Sequence, residues 1–291
     1  MLPDTYYRWS KGCPVGELEA AAALLEKLGH FPIVESRPGH KTGELLIYCP
    51  TRDEAEVLLA QHGGEVHEVP PEAWLTKPED ANTAPIRIRD RFLVMTSVSP
   101  DPVEQARAAH PDRQVLWFPP GLAFGTGDHA TTATCLRLLV DEADRLSSAP
   151  WSLLDLGSGS AILAITGHHL GAKPVTGVEF DPMALSASKE YAADNGATDI
   201  ELIEADAIAW LGQKPTRRHD IVAANLYSGL LKEVFPLLKP WLAAEGRIIF
   251  SGVLAKELPA TLGAALECGY RPLKTVIRGK WSAGLLKRSP V

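Results

Sequence analysis

Cysteine is scarce in this chain of 291 residues, and the cysteines that are present lie far apart. There are four, at positions 13, 49, 135 and 268, and none forms a Cys-x-x-Cys pair. This spacing argues against a zinc site or a disulfide framework, and it favours a reducing, cytoplasmic compartment. No apolar run reaches the roughly 18 residues of a membrane span, and the N-terminus lacks the basic-then-apolar pattern of a secretion signal.

An excess of positive charge is missing as well. The formal net charge is −7, so we expect neither a broad basic footprint nor direct binding to nucleic acid. Hydrophobic residues make up 45% of the chain and charged residues 22%, which is typical of soluble globular proteins. The length is sufficient for two domains with a sizeable core.

The most informative stretch is residues 153–161, which read L-L-D-L-G-S-G-S-A. An apolar run of strand length ends at Asp155, a glycine-rich turn follows, and residues 162–170 are predicted to be helical. Glycines at such a junction let the backbone approach a ligand, and the free N–H groups of the helix point towards it. In open α/β sheets this arrangement binds nucleotides beyond the carboxyl ends of the strands.

The spacing of the glycines indicates which nucleotide is bound. A dinucleotide fingerprint requires Gly-x-Gly-x-x-Gly, but Ile162 follows Gly157 and Gly159 at the third position. With Asp155 two residues earlier, the pattern D-x-G-x-G-[ST]-[GA] resembles the first motif of class I methyltransferases, which use S-adenosylmethionine (SAM). The resemblance implies that this turn lies against the methionine part of SAM. An ordinary glycine-rich turn is the alternative.

Two further acids follow predicted strands. Glu179 lies 20 positions after Gly159, and an acid at this spacing accepts hydrogen bonds from both ribose hydroxyls of a bound nucleoside. Asp206 stands where class I methyltransferases often carry a group for the adenine amine. For both residues the alternative is a solvent-facing acid with no ligand.

The chain is predicted to contain two domains. Residues 1–70 read as β-α-β-β-α-β, which resembles a ferredoxin-like unit, and such units more often recognise than catalyse. A structural appendage is the alternative. Residues 71–88 are predicted to be a linker and 89–291 a class I methyltransferase domain. The fold class is thus α/β, with a seven-stranded Rossmann-like sheet that ends in an antiparallel hairpin, beside an α+β N-terminal domain.

A second glycine-containing loop precedes the first motif. Residues 119–132 read P-P-G-L-A-F-G-T-G-D-H-A-T-T. Its His129 has no second histidine or cysteine at ligand spacing, so we expect no metal site and assign this residue no role. The pattern P-G-L-A-F-G-T-G-[DT]-H-x-T-T, followed by D-x-G-x-G, resembles the bacterial ribosomal-protein methyltransferase family PrmA. The similarity extends to P-E-A-W-L-T-K at 71–77 and to W-S-A-G-L-L-K-R at Trp281–Arg288.

The resemblance implies a function and a set of site residues. The family methylates amine nitrogens, of a lysine side chain or an N-terminal amine, on large-subunit ribosomal protein eleven, and releases S-adenosylhomocysteine. Residues 1–70 would recognise the substrate. The implied SAM contacts are Thr132, Gly157, Glu179 and Asn225, with Phe124 close to the cofactor. Asn225 is also placed to orient the acceptor amine.

Several residues depart from the usual motifs of the family. They are Asp128 and Ala130 in the loop, Ser158 and Ala161 in the glycine turn, Glu179 in place of Asp, and Tyr227 and Leu230 in A-N-L-Y-S-G-L-L. These departures leave the acceptor open, so a methyltransferase of the same fold that acts on another protein or a small molecule is the first alternative. A nicotinamide-dependent oxidoreductase, against which Ile162 argues, and a non-catalytic SAM-binding protein are the others.

Overall fold

The computed structural model describes residues 6–28, 30, 32–35, 41–69, 84–120, 125, 127, 129–146 and 148–289. The chain divides into two compact units, Met1–Thr76 and Lys77–Val291. The boundary between them falls within the predicted linker, of which residues 71–83 lie outside the described residues. The end of that predicted linker, Ile86–Ile88, forms a strand instead, because it pairs with the strand Phe92–Met95. Among the described residues, no helix is long and apolar enough to span a membrane.

The N-terminal unit contains a four-stranded antiparallel sheet in the order β2-β3-β1-β4. Its elements are β1 (Tyr6–Pro14), α1 (Leu18–Lys27), β2 (Ile33–Glu35), β3 (Thr42–Cys49), α2 (Arg52–His62) and β4 (Glu65–Val69). The core surrounds the fully buried Trp9, whose indole N–H donates to the carbonyl of Gly63 at 2.8 Å. Thr51 caps α2 by accepting from the backbone N–H of Glu54.

The second unit is built around a mixed sheet of seven strands, in the order β10-β9-β8-β11-β12-β14-β13. The strands are β8 (Trp151–Leu156), β9 (Ala172–Glu179), β10 (Glu201–Glu204), β11 (His219–Asn225), β12 (Leu242–Leu254), β13 (Tyr270–Arg278) and β14 (Trp281–Arg288). The first five in chain order are mutually parallel, and β14 runs antiparallel to both of its neighbours. The predicted seven-stranded sheet with a terminal hairpin is confirmed.

Helices cover both faces of this sheet. They are α4 (Ala130–Leu146), α5 (Ile162–His169) and α6 (Pro182–Asp194) on one face, and α7 (Ala207–Leu211), α8 (Ser228–Val234) and α9 (Leu258–Glu267) on the other. Every residue of β8 is buried, as expected for a central parallel strand that packs on both sides. The carboxyl ends of β8, β9 and β11 therefore meet at one edge, which is where the motif residues lie.

A small sheet precedes α4, in the order β5-β6-β7. It consists of β5 (Ile86–Ile88), β6 (Phe92–Met95) and β7 (Gln114–Trp117), with α3 (Asp101–Ala109) packed beside it. The strands β6 and β7 are parallel, and α3 connects them in the chain. The sequence pattern does not predict that these short strands form a sheet of their own.

Candidate functional site

The glycine turn after β8 has a backbone that favours glycine. Gly157 and Gly159 have φ values of +63° and +53°, in the left-handed region. The N–H groups of Gly157 and Ser158 donate to the carbonyl of Val178 at 2.9 and 3.0 Å, which fixes the turn against β9. A Cβ atom at Gly157 would lie 2.5 Å from Cδ2 of Leu226. A side chain at this position would therefore force the side chain of Leu226, the residue after β11, to move.

Glu179 ends β9 and turns its carboxylate towards the glycine turn. Its Oε2 accepts from the backbone N–H of Gly159 at 2.7 Å, and its Oε1 accepts from those of Phe180 and Asp181 at 2.9 and 3.0 Å. These bonds hold the side chain in one position. Since a carboxylate has about four lone-pair directions and three are used here, about one remains to accept from a ligand hydroxyl.

Asp155 lies beneath the turn. It is buried, and its Oδ2 accepts from the backbone N–H of Ala164, in the first turn of α5, at 3.1 Å. Burial raises the pKa of its carboxyl to about 7, and the nearby Glu179 adds to the shift. In this position Asp155 fixes α5 relative to β8, and its predicted contact with the cofactor stays a prediction.

Asn225 and Thr132 are brought together from positions far apart in the sequence. Asn225 ends β11, and its Nδ2 donates to Oγ1 of Thr132, in the first turn of α4, at 3.4 Å. The Oδ1 atom of Asn225 is buried and has no hydrogen-bond partner among the described residues. An unsatisfied buried acceptor is unfavourable, so an N–H group of a ligand placed at this atom would be stabilised by a hydrogen bond.

Two further residues of the motif, neither of them a predicted cofactor contact, also contribute. The hydroxyl of Ser160 donates to the carbonyl of Gly125 at 3.0 Å and so ties the glycine turn to the preceding loop. Ala161, where the family usually has glycine, has a φ of +58°. The sequence feature that points to both residues is the run of small residues S-G-S-A, because a tight turn leaves no room for larger side chains.

The other predicted residues lie at the edges of this cluster or outside the described part. Asp206 is exposed and caps α7 by accepting from the N–H of Ala209 at 2.8 Å, and the preceding Ala205 donates to the backbone of Glu179. Phe124 is outside the described residues. His129 bonds the hydroxyl of Thr131 at 2.7 Å and packs edge-on against Trp281. His129 therefore contacts the start of α4 and the start of β14, which indicates a structural role.

Two exposed aromatic side chains flank the strand ends. Phe180, which follows Glu179, is 72% exposed, and Tyr227, two residues after Asn225, is 66% exposed. Large apolar side chains at a strand-end cleft are available to cover a ligand or to contact an acceptor.

The arrangement has the features that a nucleoside ligand requires. Gly157 and Gly159 leave the backbone approachable, and Glu179 presents a fixed carboxylate. Asn225 presents an acceptor that no other described residue pairs with. The carboxylate suits ribose hydroxyls, and the amide oxygen suits an ammonium or amine N–H. These donors and acceptors therefore fit SAM.

The chain is similar to ribosomal protein L11 methyltransferases from several bacteria. The sequence model of the family "Ribosomal protein L11 methyltransferase (PrmA)" matches residues 42–289. A ribosomal protein L11 methyltransferase of Brucella melitensis is 34% identical over 269 residues, which cover 88% of this chain and 90% of that protein. One of Chromohalobacter salexigens is 37% identical over 198 residues, covering 68% of this chain.

Coverage differs among the relatives. The alignments span 61% of the Chromohalobacter salexigens protein and 57% of the Lactobacillus gasseri one, less than two thirds of their lengths. The crystal structure of a ribosomal protein L11 methylase from Lactobacillus delbrueckii subsp. bulgaricus superposes with a TM-score of 0.60 at 28% identity, covering 71% of this chain and 99% of that one. From the family match over most of its length, this chain belongs to the ribosomal protein L11 methyltransferase (PrmA) family.

Proposed function

We propose that this chain is a SAM-dependent methyltransferase that transfers methyl groups to amine nitrogens of ribosomal protein L11. The observation that carries the proposal is the buried Oδ1 of Asn225, which has no hydrogen-bond partner in the described part of the chain and lies on the strand next to the one that leads into the glycine turn. A buried acceptor at this place suits the N–H of an amine or the ammonium of a methionine moiety. A ribosomal substrate places the reaction in the cytoplasm.

The cofactor would be held by residues from three strand ends. Gly157 and Gly159 lie against its methionine part, with Asp155 beneath, and Glu179 accepts from the ribose hydroxyls. Asp206 and Phe124 belong to the adenine side, and Thr132 holds Asn225 through its hydroxyl. S-Adenosylhomocysteine is the product.

The bound cofactor supplies a methyl group on a sulfonium, which is already a strong electrophile. The protein therefore contributes mainly proximity and alignment. The acceptor amine must be neutral, and a lysine with a pKa near 10.4 in water loses its proton more readily in a desolvated cleft. Asn225 orients this amine through its amide oxygen, and the proton released from nitrogen passes to solvent.

We assign recognition of the protein substrate to the N-terminal unit. Its four-stranded sheet and two helices form a separate core around Trp9, and none of the cofactor residues lies in it. Replacing residues 1–70 by the corresponding unit of a relative with a known acceptor should transfer the acceptor preference. Unchanged preference in such a chimera would contradict this assignment.

A methyltransferase of the same fold with another acceptor is the second candidate. Tyr227, exposed beside Asn225, favours it, because the family usually has leucine at that position. The incubation described next distinguishes the two candidates.

The direct test combines binding with turnover. Purified chain should bind S-adenosylhomocysteine in a calorimeter, and with tritiated SAM it should label isolated ribosomal protein L11. An Asn225→Ala variant should retain its fold and lose most of the labelling. Binding without labelling would contradict the acceptor, whereas no binding at all would contradict the enzyme class.

A further inference from the structure

Three cations form a row across neighbouring strands, far from the glycine turn. Lys287 of β14 lies directly opposite Arg247 of β12 on one side and Arg271 of β13 on the other. Residues directly opposite in a ladder project from the same face of the sheet. Since neighbouring strands lie about 4.8 Å apart, the cation row spans about 10 Å.

Such a row is unfavourable unless an anion compensates it, because like charges directly opposite each other destabilise a sheet. Glu142 lies 3.9 Å from Nε of Arg247, but it is already paired with Arg145 at 2.7 Å. Within the described parts of the chain, no carboxylate forms an ion pair with Arg271 or Lys287. Among the described residues, Arg247 thus shares one carboxylate with Arg145, and Arg271 and Lys287 pair with none, so the cation row carries net positive charge in a protein whose net charge is −7.

The cation row lines a cavity of about 340 Å³, which Arg288 completes. A guanidinium nitrogen of Arg288 donates to the carbonyls of Lys239 and Leu242, so this side chain is fixed in place. The Nε atoms of Arg247 and Arg288 are buried without a hydrogen-bond partner among the described residues. Arg288 thus lines the cavity with a guanidinium whose position is fixed by two backbone carbonyls.

The cavity is separate from the proposed methyl-transfer site. Arg247 pairs with Ile221 early in β11, whereas Asn225, at the other end of that strand, pairs with Ser251. Four residues of strand separate the two positions, which corresponds to about 13 Å along the sheet. A ligand in this cavity would therefore not compete with one at the glycine turn.

We propose that this cavity binds a small anion with two or more linked phosphate groups, such as diphosphate or the phosphate chain of a nucleotide. Guanidinium and ammonium groups are the usual protein ligands of phosphate oxygens. A single phosphate carries about two negative charges at neutral pH, fewer than the three cations of the row, whereas linked phosphates carry more. Glu245 at the rim and the negative net charge oppose a long polyanion such as RNA.

The test uses the full chain saturated with S-adenosylhomocysteine, so that the glycine turn is filled. Inorganic diphosphate at about ten times its dissociation constant should raise the thermal midpoint by roughly 3–5 °C at constant ionic strength. Lys287→Gln and Arg271→Gln should each weaken diphosphate binding about tenfold or more in calorimetry. Lys189→Gln, an exposed lysine on α6, is the matched control and should bind like wild type.

A second measurement separates ligand binding from folding defects. Without ligand, Lys287→Gln should melt at or above the wild-type temperature, because a repulsion has been removed. Equal diphosphate binding by Lys287→Gln, Arg271→Gln and wild type would overturn the proposal. So would a single-stranded RNA oligomer that binds more tightly than diphosphate at the same total phosphate.

Discussion

The carboxylate of Glu179 and the backbone N–H of Gly159 form a 2.7 Å hydrogen bond between the ends of two neighbouring strands. The bond joins the acid proposed to bind the ribose to the turn proposed to hold the methionine part of SAM. Glutamate is one methylene longer than the aspartate usual in the family, and in this chain that length reaches the glycine turn. The two ends of the cofactor cleft are therefore fixed by one side chain.

Glu179→Gln should weaken the binding of S-adenosylhomocysteine about tenfold or more. The amide keeps one acceptor but turns an N–H₂ group towards backbone donors, and hydrogen bonds to a charged group contribute about 1.5–3 kcal/mol. Titration calorimetry measures the change. Glu190→Gln, an exposed change on α6, is the control, and equal affinities of the two variants would contradict the assignment.

Thr132→Val should lower catalytic efficiency about tenfold while the protein stays folded, because Nδ2 of Asn225 loses its acceptor and the side chain is free to turn. Thr134→Val is matched to it: this threonine lies on the same helix, but its hydroxyl donates to the carbonyl of Ala130. Steady-state kinetics with both variants provide the measurement. If the two variants lose activity equally, Thr132 has no special role in positioning Asn225.

Gly157→Ala should reduce both stability and cofactor binding. A left-handed backbone costs an alanine about 1–2 kcal/mol, and its Cβ would collide with Leu226. Gly263→Ala is the contrasting change, since it lies within α9 and a Cβ there meets nothing within 4 Å. It should stabilise the protein by about 0.5–1 kcal/mol in denaturant unfolding. A neutral Gly157→Ala would show that the turn relaxes without penalty.

Two buried groups should make opposite contributions to the pH dependence of stability. Burial, with Arg217 nearby, lowers the pKa of His219 to about 4 from 6.5, so the unfolded chain binds this proton first and stability falls as pH drops from 6.5 towards 4. Burial raises the pKa of Asp155 to about 7 from 3.8, so the folded chain retains this proton and stability falls as pH rises from 3.8 to 7.

Removing either group should expose the contribution of the other. The cofactor-free stability of Asp155→Asn should rise by about 3 kcal/mol between pH 4 and pH 6.5, since each pKa unit corresponds to 1.36 kcal/mol. That of His219→Gln should fall over the same range. Urea unfolding at a series of pH values measures both slopes. Identical slopes in wild type and Asp155→Asn would mean that the Asp155 carboxyl ionises normally.

Tyr227→Leu should change the KM for the protein acceptor severalfold and leave the affinity for S-adenosylhomocysteine unaltered. The ring is largely exposed, two residues after Asn225, where an aromatic face is available to a cationic or neutral amine. Separate measurements of KM, kcat and cofactor affinity test this. A loss of cofactor affinity without an effect on the acceptor KM would place Tyr227 at the cofactor instead.

Where the sequence pattern is local, it predicts the structure closely. The sequence of residues 65–69 predicts a strand, and these residues form β4. Asp181 before Pro182 predicts a helix N-cap, and Asp181 caps α6 by accepting from the N–H of Met183. The sequence pattern fails where hydrogen bonding to neighbouring strands makes a strand longer than its apolar run. The apolar run predicts a strand over 247–251, whereas hydrogen bonding to β11 and β14 lengthens β12 to Leu242–Leu254. Flanking residues such as Glu245 and Gly246 have little intrinsic preference for strands.

The sequence by itself determined the α/β class, the glycine turn and the acid 20 residues beyond it. These features depend on the spacing of residues that lie close together along the chain. Only the tertiary structure decided which distant groups meet. Asn225 reaches Thr132 across 93 positions, and the cation row of Arg247, Lys287 and Arg271 exists only in the register of three paired strands. Strand order and register depend on packing of the whole core, which no local pattern encodes.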